Sequence, residues 1–144
     1  MTPTHVFSFV NMTAMAMWVL MIFLPKWKIT QQLMRLKLIP IALSLVYAIY
    51  IIRELLVSGL MDFGSLSSVM ALFTQENAVL AGWVHYLAFD LIVGMWILEK
   101  NEKIGVPQLL VIPCLFLTFM FGPIGFLLFI IIKTIKTKQN EKSN

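Results

Sequence analysis

The residues best suited to chemistry lie in one otherwise apolar stretch, Glu76 to Leu98. His85 and Asp90 fall near its middle and Glu76 at its start. An aspartate at the centre of a membrane helix costs about 2.5–3.5 kcal/mol on insertion scales, so it stays neutral, pairs, or faces a polar cavity, and marks a functional site by default. The chemistry on offer is proton transfer. A histidine exchanges protons near neutrality, and a carboxylic acid kept neutral by apolar surroundings can donate one. Helical geometry limits their cooperation: five residues at about 100° each set His85 and Asp90 roughly 140° apart around the axis. They are not a metal pair on one stripe, and a direct hydrogen bond between them is not expected. Glu76 falls within roughly 40° of Asp90's face, but about 21 Å away along the axis. A helix with polar groups on two faces must be central in its bundle.

Each residue also has a structural reading. Asp90 also suits a structural role, as a hydrogen-bonding group that fixes helix packing. His85 suits a neutral core histidine donating to a carbonyl. Glu76 meets the positive end of a helix dipole favourably. Arg53 and Glu54 are expected to snorkel or pair at an interface. Gly82 and Gly94 suit close helix packing.

The elements that must position these groups are membrane spans. Of 144 residues, 60% are hydrophobic and 12% charged, with mean hydropathy +0.88, against about 25% charged in soluble domains. So short a soluble chain could not hide this much apolar surface. The expected fold is an all-α membrane bundle of about four transmembrane helices plus a short interfacial or re-entrant helix. The expected spans are about 5–24, 38–58, 76–98 and 107–132, in a single transmembrane domain over 1–138 with a polar tail at 139–144. About 20 residues cross the hydrocarbon as a helix. Residues 59–75 are too polar and too short in apolar length to span, and read as a short interfacial helix or re-entrant segment. The last span carries Pro113 and Pro123, which free the carbonyls of Leu109 and Phe119 and kink it. The tail is expected to fray after Gln139.

Net charge is +4, but the cations sit in 25–37, 99–103 and the tail from Lys133, where they flank spans; this excludes a nucleic-acid surface. Four crossings put the six cations of 25–37 and 99–106 on one side and the four tail lysines on the other, with the termini weakly outside the cytoplasm. A fifth crossing through 60–75 would put the 25–37 connector and the tail together in the cytoplasm and fit the positive-inside pattern better. Cys114 is the one cysteine, so no intrachain disulfide forms. Two histidines and one cysteine, dispersed, offer no zinc site, and no metal or other cofactor is expected. The first apolar run has no Lys or Arg before it and reads as a retained span.

Leu80-Ala-Gly-Trp-Val-His-Tyr-Leu-Ala-Phe-Asp-Leu-Ile-Val-Gly94 and Pro113-Cys-Leu-Phe-Leu-Thr-Phe-Met-Phe-Gly-Pro-Ile-Gly125 closely resemble the abscisic acid deficient 4-like family. The first half is similar in layout, with its Pro25-Lys-Trp-Lys28 connector. Plant members are associated with neoxanthin synthesis in plastid membranes. The resemblance implies an isomerase acting on an oxygenated carotenoid, opening an epoxide with loss of a neighbouring proton. That needs an acid and a base, and Asp90, His85 and Glu76 are the matching positions. Trp83, Tyr86, Asn77, Gly94 and Pro123 are the candidate substrate-binding positions. The implied partners are membrane lipid and a hydrophobic carotenoid or isoprenoid ligand. A short chain without a Ser- and Arg-rich leader is expected in a bacterial inner membrane. The alternative reading is a non-catalytic membrane assembly or scaffold protein.

Overall fold

The computed structural model describes residues 2–142, with the side chains of residues 58 and 139–142 left aside. Among the described residues it is all-helical: α1 Pro3–Phe23, α2 Lys28–Leu36, α3 Leu38–Ser58, α4 Leu66–Leu72, α5 Glu76–Ile104, α6 Gln108–Phe121 and α7 Pro123–Lys142. Three helices, α1, α3 and α5, are long and apolar enough to cross a membrane. Their outer surfaces suit lipid: Phe9 and Met12 on α1 are exposed, as are Leu45, Ile49, Ile52 and Leu56 on α3. Half of the apolar window of α5 is buried, against 28% for α1 and 22% for α3. Its buried residues Leu80, Val84, Leu87, Leu91, Met95 and Leu98 recur at spacings of three and four, the seam of a packed helix.

The boundaries follow local chemistry. α1 ends just before Pro25, and α3 carries Pro40 in its first turn, where the missing N–H costs nothing. Between them the connector folds as α2, a helix not foreseen from its polar composition. It is amphipathic, burying Thr30 and Met34 one turn apart. Lys37 closes it in the left-handed region, φ 49, donating its N–H to Leu33 and Met34 carbonyls. The short helix expected within 59–75 is α4, with Ser65 as its N-cap accepting from the Ser68 amide. The tail expected to fray after Gln139 instead continues as helix to Lys142; residues 143–144 lie outside the described residues.

The chain forms two compact units. One comprises 1–15 and 38–89, the other 16–37 and 90–144, so α1 and α5 contribute to both.

Within the second unit the expected single span over 107–132 is replaced by two helices. The break is at Gly122, φ 51 and ψ −96, a conformation that side chains resist, followed by Pro123, which has no N–H to continue the ladder. α7 then folds back on α6. A Cβ on Gly125 would collide with the Thr118 amide and hydroxyl and the Cys114 carbonyl. Beside α5, the Gly122 tip lies against Asp90, and Phe126 and Phe129 lie against Trp96, ring centroids 5.5 and 5.9 Å away. α7 therefore runs parallel to α5, and α6–α7 is a helical hairpin with its tip at the level of Asp90. α6, at 14 residues, is about 21 Å long, short of the roughly 30 Å hydrocarbon core.

Candidate functional site

In the first unit, α3, α4 and α5 line an open cavity of about 220 Å³. α5 contributes Ala78, Ala81, Gly82 and His85, spaced so that small residues leave room on the turns before the imidazole. α3 contributes Tyr47 and Ile51, one turn apart, and the loop before α4 adds Met61 and Phe63. The His85 ring stacks on Phe89 at 4.5 Å and meets the Tyr47 ring at 5.4 Å, tilted 56°. The walls are otherwise hydrocarbon. The cavity can therefore hold an apolar group and set one imidazole and one phenol against it.

The loop that contributes Met61 and Phe63 is tied down by Asp62. Its carboxylate accepts from Ser68 Oγ at 2.6 Å and from the Gly64 amide at 2.8 Å. These two bonds, the Ser68 one the stronger, hold the Asp62 carboxyl below its ordinary range.

Other candidates of this unit stand elsewhere. Glu76 and Trp83 line a second cavity of about 230 Å³, with Pro3, Phe7 and Val79. Trp83 is positioned by α1: its Nε1 donates to Asn11 Oδ1 at 3.0 Å, and its ring meets Phe7 at 5.7 Å and Tyr86 at 5.5 Å. Asn77 is exposed at the start of α5. Glu76 is exposed as the first residue of α5, where its carboxylate meets the helix dipole favourably.

Asp90, Gly94 and Pro123 belong to the second unit. Asp90 is buried, 9% exposed, and a Cβ on Gly122 would stand 2.9 Å from its Oδ1. Gly94 is a packing seat: a Cβ there would lie 2.6 Å from both Met21 Cε and Trp18 Cη2. Pro123 is exposed and opens α7. His85 and Asp90 thus fall in different units, as their angular separation along α5 allows.

One polar residue of α3 escaped the sequence reading: Tyr47 lines the His85 cavity. Glu54, expected to snorkel or pair at an interface, is buried at 8% exposure. The signal was present: Tyr47, Tyr50 and Glu54 are spaced three and four apart, which puts them on one helix face. Among the described residues no three of His, Cys, Asp or Glu are grouped to hold a metal ion.

No curated protein matches this chain significantly, and neither does any solved structure. A family model does, over residues 5–129, a stretch that takes in the His85 cavity, Asp90 and the tip of the α6–α7 hairpin. The chain belongs to the ABA DEFICIENT 4-like family.

Proposed function

We propose that the α3–α4–α5 cavity takes the end group of a carotenoid- or isoprenoid-type lipid and that His85 exchanges a proton with it. The observation carrying this reading is an apolar cavity whose wall presents one imidazole with a phenol beside it. At about 220 Å³ it is smaller than the roughly 300–1,000 Å³ of pockets that enclose a drug-sized ligand. It suits one terminus of a long polyene whose remainder lies in the bilayer. The reaction class is acid–base isomerisation. One proton reaches an oxygen as its carbon–oxygen bond breaks, and another leaves a neighbouring carbon, so substrate and product are isomers and no redox equivalent is consumed. In this reading His85 takes the carbon-bound proton and Tyr47 donates to the oxygen. Asp90 acts through the α6–α7 tip against which it packs, and Glu76 through the start of α5.

The protein would lie in the membrane with α1, α3 and α5 crossing and α6–α7 entering and leaving on one side. This arrangement is supported by the hairpin itself, since α7 runs parallel to α5 and carries Lys133, Lys136 and Lys138 towards the end where Lys100 and Lys103 stand. The connector cations belong to that same end, because Lys37 Nζ pairs with Glu99 Oε1 at 2.8 Å. Clustered cations favour the cytoplasmic side.

The test is to offer an epoxide-bearing carotenoid to the protein in nanodiscs, following retained pigment by absorbance and isomers by chromatography. His85→Gln should keep the pigment and lose turnover by about 10²- to 10⁴-fold, the usual contribution of one acid–base group. Full turnover in a folded His85→Gln variant would remove the proton-transfer role, and failure of the intact protein to retain pigment would remove the binding role.

A further inference from the structure

At the end of the second unit where α1 gives way to α2 and α5 to α6, a cavity of about 580 Å³ opens among Lys26, Gln31, Glu102 and Gln108. Asn101 builds its rim rather than its chemistry: its side chain donates to the Val106 carbonyl at 3.0 Å and accepts from the Val106 amide at 2.9 Å. That pair of hydrogen bonds to the backbone fixes the 105–107 turn and leaves one ammonium, one carboxylate and two amides lining the cavity. Gln108 is the informative member. Its Nε2 is buried and has no hydrogen-bond partner within the protein, a donor whose burial is unfavourable unless something accepts from it.

A second cavity, of about 500 Å³, adjoins the first and shares Pro25, Lys26 and Gln108 with it. Its other walls are Phe23, Leu24 and Trp27, with Lys26 at the shared border. An open groove of mixed polarity joined to a more apolar one, at the ends of membrane-length helices, fits an amphiphile and not a fully soluble ligand. The charges narrow the headgroup. Lys26 and the Gln108 amide suit a phosphate, while Glu102 opposes a purely anionic headgroup and suits a primary ammonium, which can hydrogen-bond to it.

We propose that this paired cavity is a binding site for an amine-bearing phospholipid of the phosphoethanolamine class. The phosphate lies between Lys26 and Gln108, the ammonium meets Glu102, and an acyl chain follows Phe23, Leu24 and Trp27. The site is separate from the His85 cavity and stands whether or not that cavity is catalytic.

The test reconstitutes the full chain in nanodiscs of equal phosphatidylethanolamine, phosphatidylcholine and phosphatidylglycerol with matched acyl chains, then measures retained lipid by native mass spectrometry. The ethanolamine lipid should be enriched over both others. Lys26→Gln should lower its retention, and Glu102→Gln should erase the preference over phosphatidylcholine, each by about two- to fivefold, the scale of an exposed ion pair. Gln108→Leu should lower retention as well. Lys133→Gln, a cation outside the cavity, should change nothing. Circular dichroism and a single elution peak establish that each variant folds, and the exposed Lys26 and Glu102 carry the test should Gln108→Leu fail. Equal retention of the three lipids, enrichment of phosphatidylglycerol, or an equal loss from Lys133→Gln would overturn the site. Displacement by free phosphoethanolamine at the lipid's own concentration would overturn the lipid assignment, because the more apolar groove would then contribute nothing.

Discussion

Gly125→Ala discriminates sharply between a folded-back α6–α7 and a straight span. In a straight helix over 107–132, Gly125 would be an interior glycine, and alanine would stabilise it by about 1 kcal/mol. In the hairpin the same methyl meets the Thr118 amide, the Thr118 hydroxyl and the Cys114 carbonyl. Two of these are backbone atoms of a regular helix and cannot rotate away. The hydroxyl is itself bonded to the Cys114 carbonyl at 2.8 Å. α6 and α7 must therefore separate at their closest point, and overpacking of this kind costs about 1–3 kcal/mol. With no flexible side chain to give way, the upper end applies, about 3 kcal/mol or roughly a hundredfold in the folded ratio. Two other glycines calibrate the scale. Gly94→Ala meets Met21, which can swing, and the fully buried Trp18, which cannot, and should cost less. Gly82→Ala finds its nearest neighbour, the Phe73 ring, at 3.5 Å, an ordinary contact, and should cost nothing measurable. Equilibrium unfolding in mixed micelles, followed by tryptophan fluorescence, ranks the three. A Gly125→Ala protein as stable as the parent, or more so, would refute the hairpin.

Two further outcomes follow from the same contacts. Single cysteines at Lys28 and Lys136 should both react with an impermeant maleimide applied from the same side, with buried Cys114 silent as the internal control; labelling from opposite sides would contradict a re-entrant α6–α7. Asp62, whose carboxyl is held below its ordinary range by Ser68 and Gly64, favours the ordered 59–65 loop when ionised. Its contribution is complete above the unfolded value of about 3.9 and is lost as pH falls through the lower folded value. Protease cleavage in this loop should thus be flat from about pH 5 to 8 and rise only in acid, and Asp62→Asn should cleave readily throughout; a transition near neutrality would count against the Asp62 anchor.

The long elements were legible because their chemistry is uniform. Residues 38–58 read as a helix and form one, and α5 begins at Glu76 as expected. α2 was hidden because its apolar residues are few and its register shows only on a helical projection, where Thr30 and Met34 fall together. The break at Gly122 is a subtler case. Pro123 announced a kink, yet nothing in composition separates a kinked span from a hairpin; the Gly125 contact with Thr118 and Cys114 does, and it depends on a tertiary approach of two helices. The site was legible one residue at a time. His85 stood out as a mid-helix ionisable group, whereas Tyr47, an ordinary aromatic in an apolar span, became significant only when α3 brought it to the imidazole. The joint assignment of His85 and Asp90 as acid and base rests on the family resemblance, whereas their separation of five residues directs the two side chains to different neighbours, and they fall in different units.

The hairpin also accounts for where the cations are. A straight fourth span would carry Lys133, Lys136 and Lys138 to the end opposite Lys100 and Lys103, splitting the basic residues and working against the positive-inside preference. Folding back at Gly122 returns them, since Lys133 lies one turn beyond Phe129 as Lys100 lies one turn beyond Trp96, and Phe129 meets Trp96. Under the proposed re-entrant topology a fifth crossing through 60–75 is not needed to bring the connector and the tail to one side, and that segment holds α4 and its Asp62-anchored loop. In that topology, the Gly122-Pro123 break and the polar 59–75 segment both serve to keep the basic segments of the second unit on one side. Straightening α6–α7, by Gly122→Ala with Pro123→Ala, should therefore do more than alter local packing. It should move the tail lysines to the other side or produce a mixture of orientations, read by the same maleimide at Lys136→Cys. If the tail stays on its original side in the doubly substituted protein, the break does not set topology and the charge pattern alone holds the tail in place.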